Sequence, residues 1–405
     1  KDGAVLIAEE STAWPKVTGN VKEDGLGFDY KWNMGWMNDF LGYMKCDPYF
    51  RCHHYGELTF SMIYAYSEDF ILVFSHDEVV HGKGSMVNKM PGETFEAKFA
   101  NLRAAYGFMT GHPGKKLLFM GQEFGQMDEW NENKSLEWEL LEYPIHKNMQ
   151  SYVKALNFLY REHPALYEED YMPDGFEWIN CMDSANNIAA FLRKTDKPEE
   201  TLLFVCNFAP VEHEKYKVGV PFPGKYKEIF NSESKSFGGC GIVNPRVKSS
   251  KAEECDGREE SITVHIAPLG ISVFSCTPVK RVKKTARTAG KTAKSKAAGT
   301  GRASAAGRSS GAAGGRRKAS VQEKAPEGNV IAFKADKSLY GTLADLREDD
   351  EAKEALKQAM DGQKKERDES QRKTAQESRE KENKNPVVTV IKGAQKALQT
   401  GRRSK

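Results

Sequence analysis

Long apolar runs are missing from this 405-residue chain. No stretch has the length and apolarity of a membrane-crossing helix, and no basic segment followed by an apolar one opens the sequence. A membrane partner is therefore not expected, and the expected location is cytoplasmic. Cysteine is sparse and odd in number: seven, at 46, 52, 181, 206, 240, 255 and 276. That is the usage of free thiols in a reducing compartment rather than of a disulfide framework. Zinc-like ligand spacing is absent as well: Cys52-His53-His54, with Cys46 upstream, has no second ligand pair, so no metal is expected. His-Pro-Gly-Lys-Lys at 112–116 lacks the terminal Ser/Thr and the glycine spacing of a phosphate loop and reads as a turn before a strand.

Acidic and aromatic residues are missing from residues 280–318, where Lys and Arg sit in an Ala/Gly/Ser/Thr background. Such a composition cannot bury enough apolar surface to fold and reads as disordered. The formal net charge of +3 thus conceals an acidic body and a basic tail, 278–405. Weak helical periodicity near 343–385 is the tail's only structural signal. Its chemistry suits nonspecific polyanion or nucleic-acid binding through phosphate neutralisation. The lack of stacking aromatics argues against sequence-specific reading.

The most informative stretch is 70–83, FILVFSHDEVVHGK. A continuous apolar run, Phe70-Ile-Leu-Val-Phe74, reads as a strand buried on both faces. It delivers Ser75-His76-Asp77-Glu78 at its carboxyl end. Charge there is either a solvated strand cap or the mouth of an α/β barrel, where catalytic groups collect. A second apolar strand, 4–8, delivers Glu9-Glu10; a third, 116–120, leads into Gly121-Gln122-Glu123. Residues 94–109 carry apolar side chains at helical spacing between the last two strands, the βαβ pattern of a parallel sheet. From about 185 to 277 the pattern changes to short strands separated by Pro, Gly and Asn turns, at 188–192, 202–208, 226–230, 262–267 and 271–274. They predict a small antiparallel sandwich. Two carboxylates on one barrel rim suit glycoside chemistry, in which an acid protonates the leaving oxygen and a carboxylate meets the cationic anomeric carbon. Tyr30, Trp32, Trp36, Trp130 and Trp138 are sugar platforms or core residues on sequence alone.

Several blocks in order carry a resemblance: Ala8-Glu9-Glu10-Ser11-Thr12, GFDYKWNMGWMND at 27–39, SHDEVVHGK at 75–83, KKLLFMGQEF at 115–124, Trp130-Asn131 and SLEWELLEY at 135–143. Over about 1–277 the chain resembles the bacterial 1,4-α-glucan (glycogen) branching enzymes of the α-amylase superfamily. The resemblance implies the C-terminal half of a (β/α)8 TIM barrel, entered near its fifth strand, over 1–165. An all-β sandwich domain over 166–277 and the disordered basic tail would follow. It implies a retaining transferase that cleaves α-1,4 links of a glucan such as glycogen and forms α-1,6 branches with no cofactor.

The resemblance also assigns roles. Glu9 would be the general acid/base, with Glu10 the competing candidate; Asp77 would stabilise the transition state, and His76 would hydrogen-bond the sugar. Trp32, Trp36, Glu123 and Trp130 would bind substrate. The family's nucleophile lies in a motif of the form Arg-x-Asp-Ala-Val, which occurs nowhere in these residues. The expectation is a fragment, inactive alone. Another α-amylase-superfamily hydrolase is the alternative, distinguished by product linkage.

Overall fold

A computed structural model of the chain describes residues 3–280. The expected basic tail, its helix near 343–385 and its polyanion contact lie almost wholly outside the described residues.

The first part alternates strand and helix. In order these are β1 (Ile7–Ala8), β2 (Tyr30–Trp32), α1 (Met34–Lys45), α2 (Tyr55–Thr59) and β3 (Phe70–Phe74). They continue with α3 (Met86–Lys89), α4 (Phe95–Gly111), β4 (Lys115–Leu118) and α5 (Pro144–Glu162). The four strands form one sheet in chain order, every neighbouring pair parallel. All their carboxyl ends therefore meet at one rim. The strand at 70–74 is as expected, with all five residues buried. The first strand shrinks from 4–8 to two residues, and the 116–120 strand shifts to Lys115–Leu118. β2 was not expected, since three residues are too few to show a period.

Local chemistry sets the helix ends. Thr94 caps α4, its hydroxyl accepting from the Ala97 N–H. Asn33 caps α1, its side-chain oxygen accepting from the Trp36 N–H at 2.8 Å. α5 begins on Pro144, pre-set for a first helical turn.

The second part is an antiparallel sandwich: β5 (Phe176–Asp183), β6 (Ile188–Arg193), β7 (Leu202–Asn207), β8 (His213–Val220), β9 (Gly224–Asn231), β10 (Lys248–Ser249), β11 (Glu260–Ile266) and β12 (Ile271–Pro278). Six of these form one sheet in the order β10-β9-β12-β7-β6-β5, and β11 pairs with β8 in a two-stranded layer. Alternation places Ile188, Ala190, Leu192, Leu203 and Val205 against Val218, Val220, Ile262 and Val264 in one core. The intervening Ala189, Phe191, Phe204 and Cys206 turn the other way, into the core they share with α1, β3 and α4. Two glycines of α4 allow that approach. A Cβ on Gly107 would stand 2.7 Å from the Tyr152 hydroxyl, and one on Gly111 would stand 2.6 Å from the Phe204 ring.

Buried polar contacts tie the two parts together. Arg103 of α4 grips Glu233 through Nε at 3.1 Å and Nη2 at 2.6 Å. Arg51, wholly buried, donates to the carbonyls of Met44 and Phe208 and to Asn101 Oδ1, each at 2.7 Å. Arg193 of β6 meets the buried Asp170 at 2.9 Å.

Candidate active site at the strand rim

β3 ends in a locked turn. Ser75 donates through its N–H and its hydroxyl to Glu78 Oε2, at 2.5 and 2.9 Å, and its hydroxyl accepts from the Asp77 N–H at 3.2 Å. This reciprocal cap satisfies the backbone donors of the 3-10 turn and buries Glu78. Glu78 is thus the structural acid of the cluster, a role sequence reading did not assign. His76 and Asp77 are left half-exposed on the solvent side, His76 Nε2 3.3 Å from Asp77 Oδ1.

An aromatic wall stands beside this pair. The His76 ring lies 5.8 Å from Phe119 and 6.3 Å from Trp130, and Phe119 meets Trp130 edge-on at 5.2 Å. The Trp130 loop is fastened down. The Trp130 N–H donates to the Val79 carbonyl at 2.9 Å, and Glu129 accepts from the Gly82 and Gly84 N–H groups at 2.8 and 2.6 Å. Those two N–H groups hold the Glu129 carboxyl below its usual range. Gly82 and Gly84 both have positive φ, which lets their amides converge on one carboxylate. A cavity of about 430 Å³ opens here, lined by His81 and the 128–134 segment including Trp130.

β1 brings Glu9 and Glu10 to the same rim in different states. Glu9 is exposed and makes no hydrogen bond or ion pair among the described residues. Glu10 pairs at 2.9 Å with Lys31 of β2, whose ammonium is almost fully buried. That neighbour, helped by the Thr12 hydroxyl, lowers the Glu10 carboxyl to about 2. Trp32, at the end of β2, is half-buried against the shared core.

The remaining expected site residues lie elsewhere. Trp36 is a core residue: 1% exposed, with ring centroids 5.1 Å from Phe40 and 5.3 Å from Phe74. Its place in the first turn of α1 faces the helix–sheet layer, so it cannot reach a sugar at the rim. Glu123 accepts from the Gly121 N–H at 2.8 Å and lines a different cavity, of about 630 Å³, between β4, α4 and α5. Trp138 packs on Phe124 and Tyr30 on Tyr171. The Cys52-His53-His54 segment joins no metal-binding cluster among the described residues.

The family description "Alpha amylase, C-terminal all-beta domain" matches residues 178–277, which covers the sandwich from β5 to β12. The chain is 51% identical over 272 residues to the 1,4-alpha-glucan branching enzyme of Oceanobacillus iheyensis, covering 67% of this chain and 42% of that protein. It is 50% identical over 277 residues to the enzyme of the same name from Geobacillus stearothermophilus, covering 68% and 43%. Among solved structures, an alpha-amylase from H. orenii aligns at a TM-score of 0.43 and 16% identity, over 68% of this chain and 54% of that one. The chain spans about two fifths of the length of the curated relatives it matches. The all-β domain, following a parallel strand–helix layer, is that of the alpha-amylase superfamily. Within that superfamily, the chain is similar over its matched residues to the 1,4-alpha-glucan branching enzymes.

Proposed function

We propose that this chain supplies the acid/base and charge-stabilising side of a glucan-branching site. The chain would divide into half of a (β/α)8 barrel over 1–165 and the all-β domain over 166–277. The observation that carries the reading is the His76–Asp77 pair, held outward by the buried Glu78 and walled by Trp130 at the shared rim. The substrate is an α-1,4-glucan, the class named in the curated relatives. The seven cysteines, all free, fit a reducing cytoplasmic setting.

Glu9 protonates the departing O4 as the α-1,4 link breaks, and the same group then removes the proton of an attacking C6 hydroxyl. Asp77 faces the positive charge that develops at the anomeric carbon, and His76 hydrogen-bonds the same sugar ring. Trp130 and Trp32 give that ring apolar faces to rest on. A retaining route also needs a nucleophilic carboxylate, and no Arg-x-Asp-Ala-Val motif occurs in these residues. The reading therefore requires that group from another polypeptide segment.

The test is product linkage on amylose. The chain alone is expected to form no branches, whereas the chain joined by a segment bearing the nucleophile forms α-1,6 links, scored from their anomeric proton signals. Glu9→Gln and Asp77→Asn should each lower that rate by about 10²–10⁴-fold. Reducing ends without new α-1,6 signals would favour a hydrolase instead, and full branching by Glu9→Gln would overturn the role of Glu9.

A further inference from the structure

Two adjacent carboxylates end β1, yet the structure treats them in opposite ways, and the difference is one buried ammonium. Lys31 lies in β2, directly across the strand pair from Ala8. Its Nζ meets Glu10 Oε2 at 2.9 Å, the Thr12 carbonyl at 3.1 Å and the Trp14 carbonyl at 3.4 Å. All three acceptors come from the five residues that follow Glu9. The same segment is tied internally: Glu10 Oε1 accepts from the Thr12 N–H at 2.7 Å, and the Thr12 hydroxyl accepts from the Trp14 N–H at 3.2 Å. The 10–14 loop is thus wrapped around one cation, which its own carbonyls and one carboxylate satisfy.

Other charges near β1 are already engaged. Asp29 accepts from the Leu6 N–H at 2.7 Å, and Lys16 donates to the Glu23 carbonyl at 2.9 Å. Glu10 turns toward Lys31, whereas Glu9 is exposed and its carboxylate has no hydrogen-bond or ion-pair partner among the described residues.

We propose that Lys31 is a positioning residue that assigns proton transfer to Glu9, by holding Glu10 as a fixed counter-ion and closing the 10–14 loop beside it. The proposal rests on the reading of Glu9 as the acid/base. A released Glu10 would be a second carboxyl one residue away, itself free to take up and lose protons. Loss of Lys31 therefore removes the distinction between the two.

The experiment uses the full 405-residue chain with carbon-13-labelled glutamate, and follows the carboxyl signals of Glu9 and Glu10 against pH together with amide exchange at Thr12 and Trp14. In the native chain Glu10 should titrate near 2. In Lys31→Met, Glu10 should return to about 4.3, and the two amides should exchange at least about tenfold faster as the loop opens locally. Lys31→Arg, which keeps the charge, should retain both native signatures. Should Lys31→Met fail to fold, Glu10→Ala decides, since it removes the acceptor of the Thr12 N–H and should loosen the Thr12 and Trp14 amides. Glu10 titrating in the ordinary carboxylate range in the native chain, or unchanged exchange in both variants, would overturn the proposal. These signals need no turnover, so a Glu9→Gln result on branching can fail independently of them.

Discussion

His112, at the end of α4, is enclosed on every side. It is 1% exposed, with its Nε2 2.9 Å from the Ser61 hydroxyl and the rings of Phe108 and Trp36 about it. Burial lowers its imidazole to about 3. The folded ring stays neutral down to that pH, whereas the unfolded ring takes a proton below about 6.5. Stability from this group is therefore complete above about pH 6.5 and is lost as pH falls toward 3, by at most about 1.4 kcal/mol per pH unit. Urea unfolding at pH 7 and pH 5 should show a marked drop for the native chain and a smaller one for His112→Gln; equal drops would refute the assignment. Asp170, lowered to about 2 because Lys116, Arg193 and Lys115 outweigh its burial, acts in a more acidic window and does not blur the comparison. At this scale, residue type was a partial guide. The motif beginning at Ser75 was legible because its groups are contiguous. Trp36 misled because an aromatic at a helix start looks the same in sequence whether it faces a core or a rim. The Lys31–Glu10 pair, 21 positions apart, had no local signal.

Among the elements, α4 does the most to unite the fold, and it does so through what it lacks. Gly107 and Gly111 present bare backbone to Tyr152, Ile271, Phe191 and Phe204, so the sandwich packs directly on the helix. Gly111→Ala would push a methyl group to 2.6 Å from Phe204, and the overpacking, about 1–3 kcal/mol, exceeds the helix propensity gained, about 1 kcal/mol. Gly56 of α2 has open space around it, so Gly56→Ala should be neutral or stabilising by up to about 1 kcal/mol. Thermal melts of the two variants should move in opposite directions, and a stabilised Gly111→Ala would show that the helix and sheet are less tightly apposed. The helix was legible from its threonine cap and apolar spacing. The strands of the sandwich were legible where β-branched and aromatic residues run together, as in β6 and β7. β5 and β8 were missed because polar residues alternate along strands that keep one face in solvent.

The described residues have one continuous interior and one open border. One apolar cluster runs from α1 through β3 and α4 into β6, β7 and β12, so the strand–helix layer and the sandwich share a core that neither could close alone. The division into an α/β part and an all-β part was legible from the change in hydrophobic period; the sharing was not, because it depends on which face of each strand turns inward. The open border lies at β1, an edge of the parallel sheet among the described residues, where Val5 and Leu6, which lead into the strand, and Ile7 are 59%, 54% and 46% exposed. An apolar edge strand with open peptide groups is a template for another strand. The expected consequence is colloidal: with this edge uncovered among the described residues, a few residues of one border should govern solubility more than net charge does. Light scattering should show association growing with protein concentration, and Leu6→Lys should suppress it while leaving the melting temperature nearly unchanged. A native chain that stays monodisperse at high concentration would mean that this border is not open to other strands in solution.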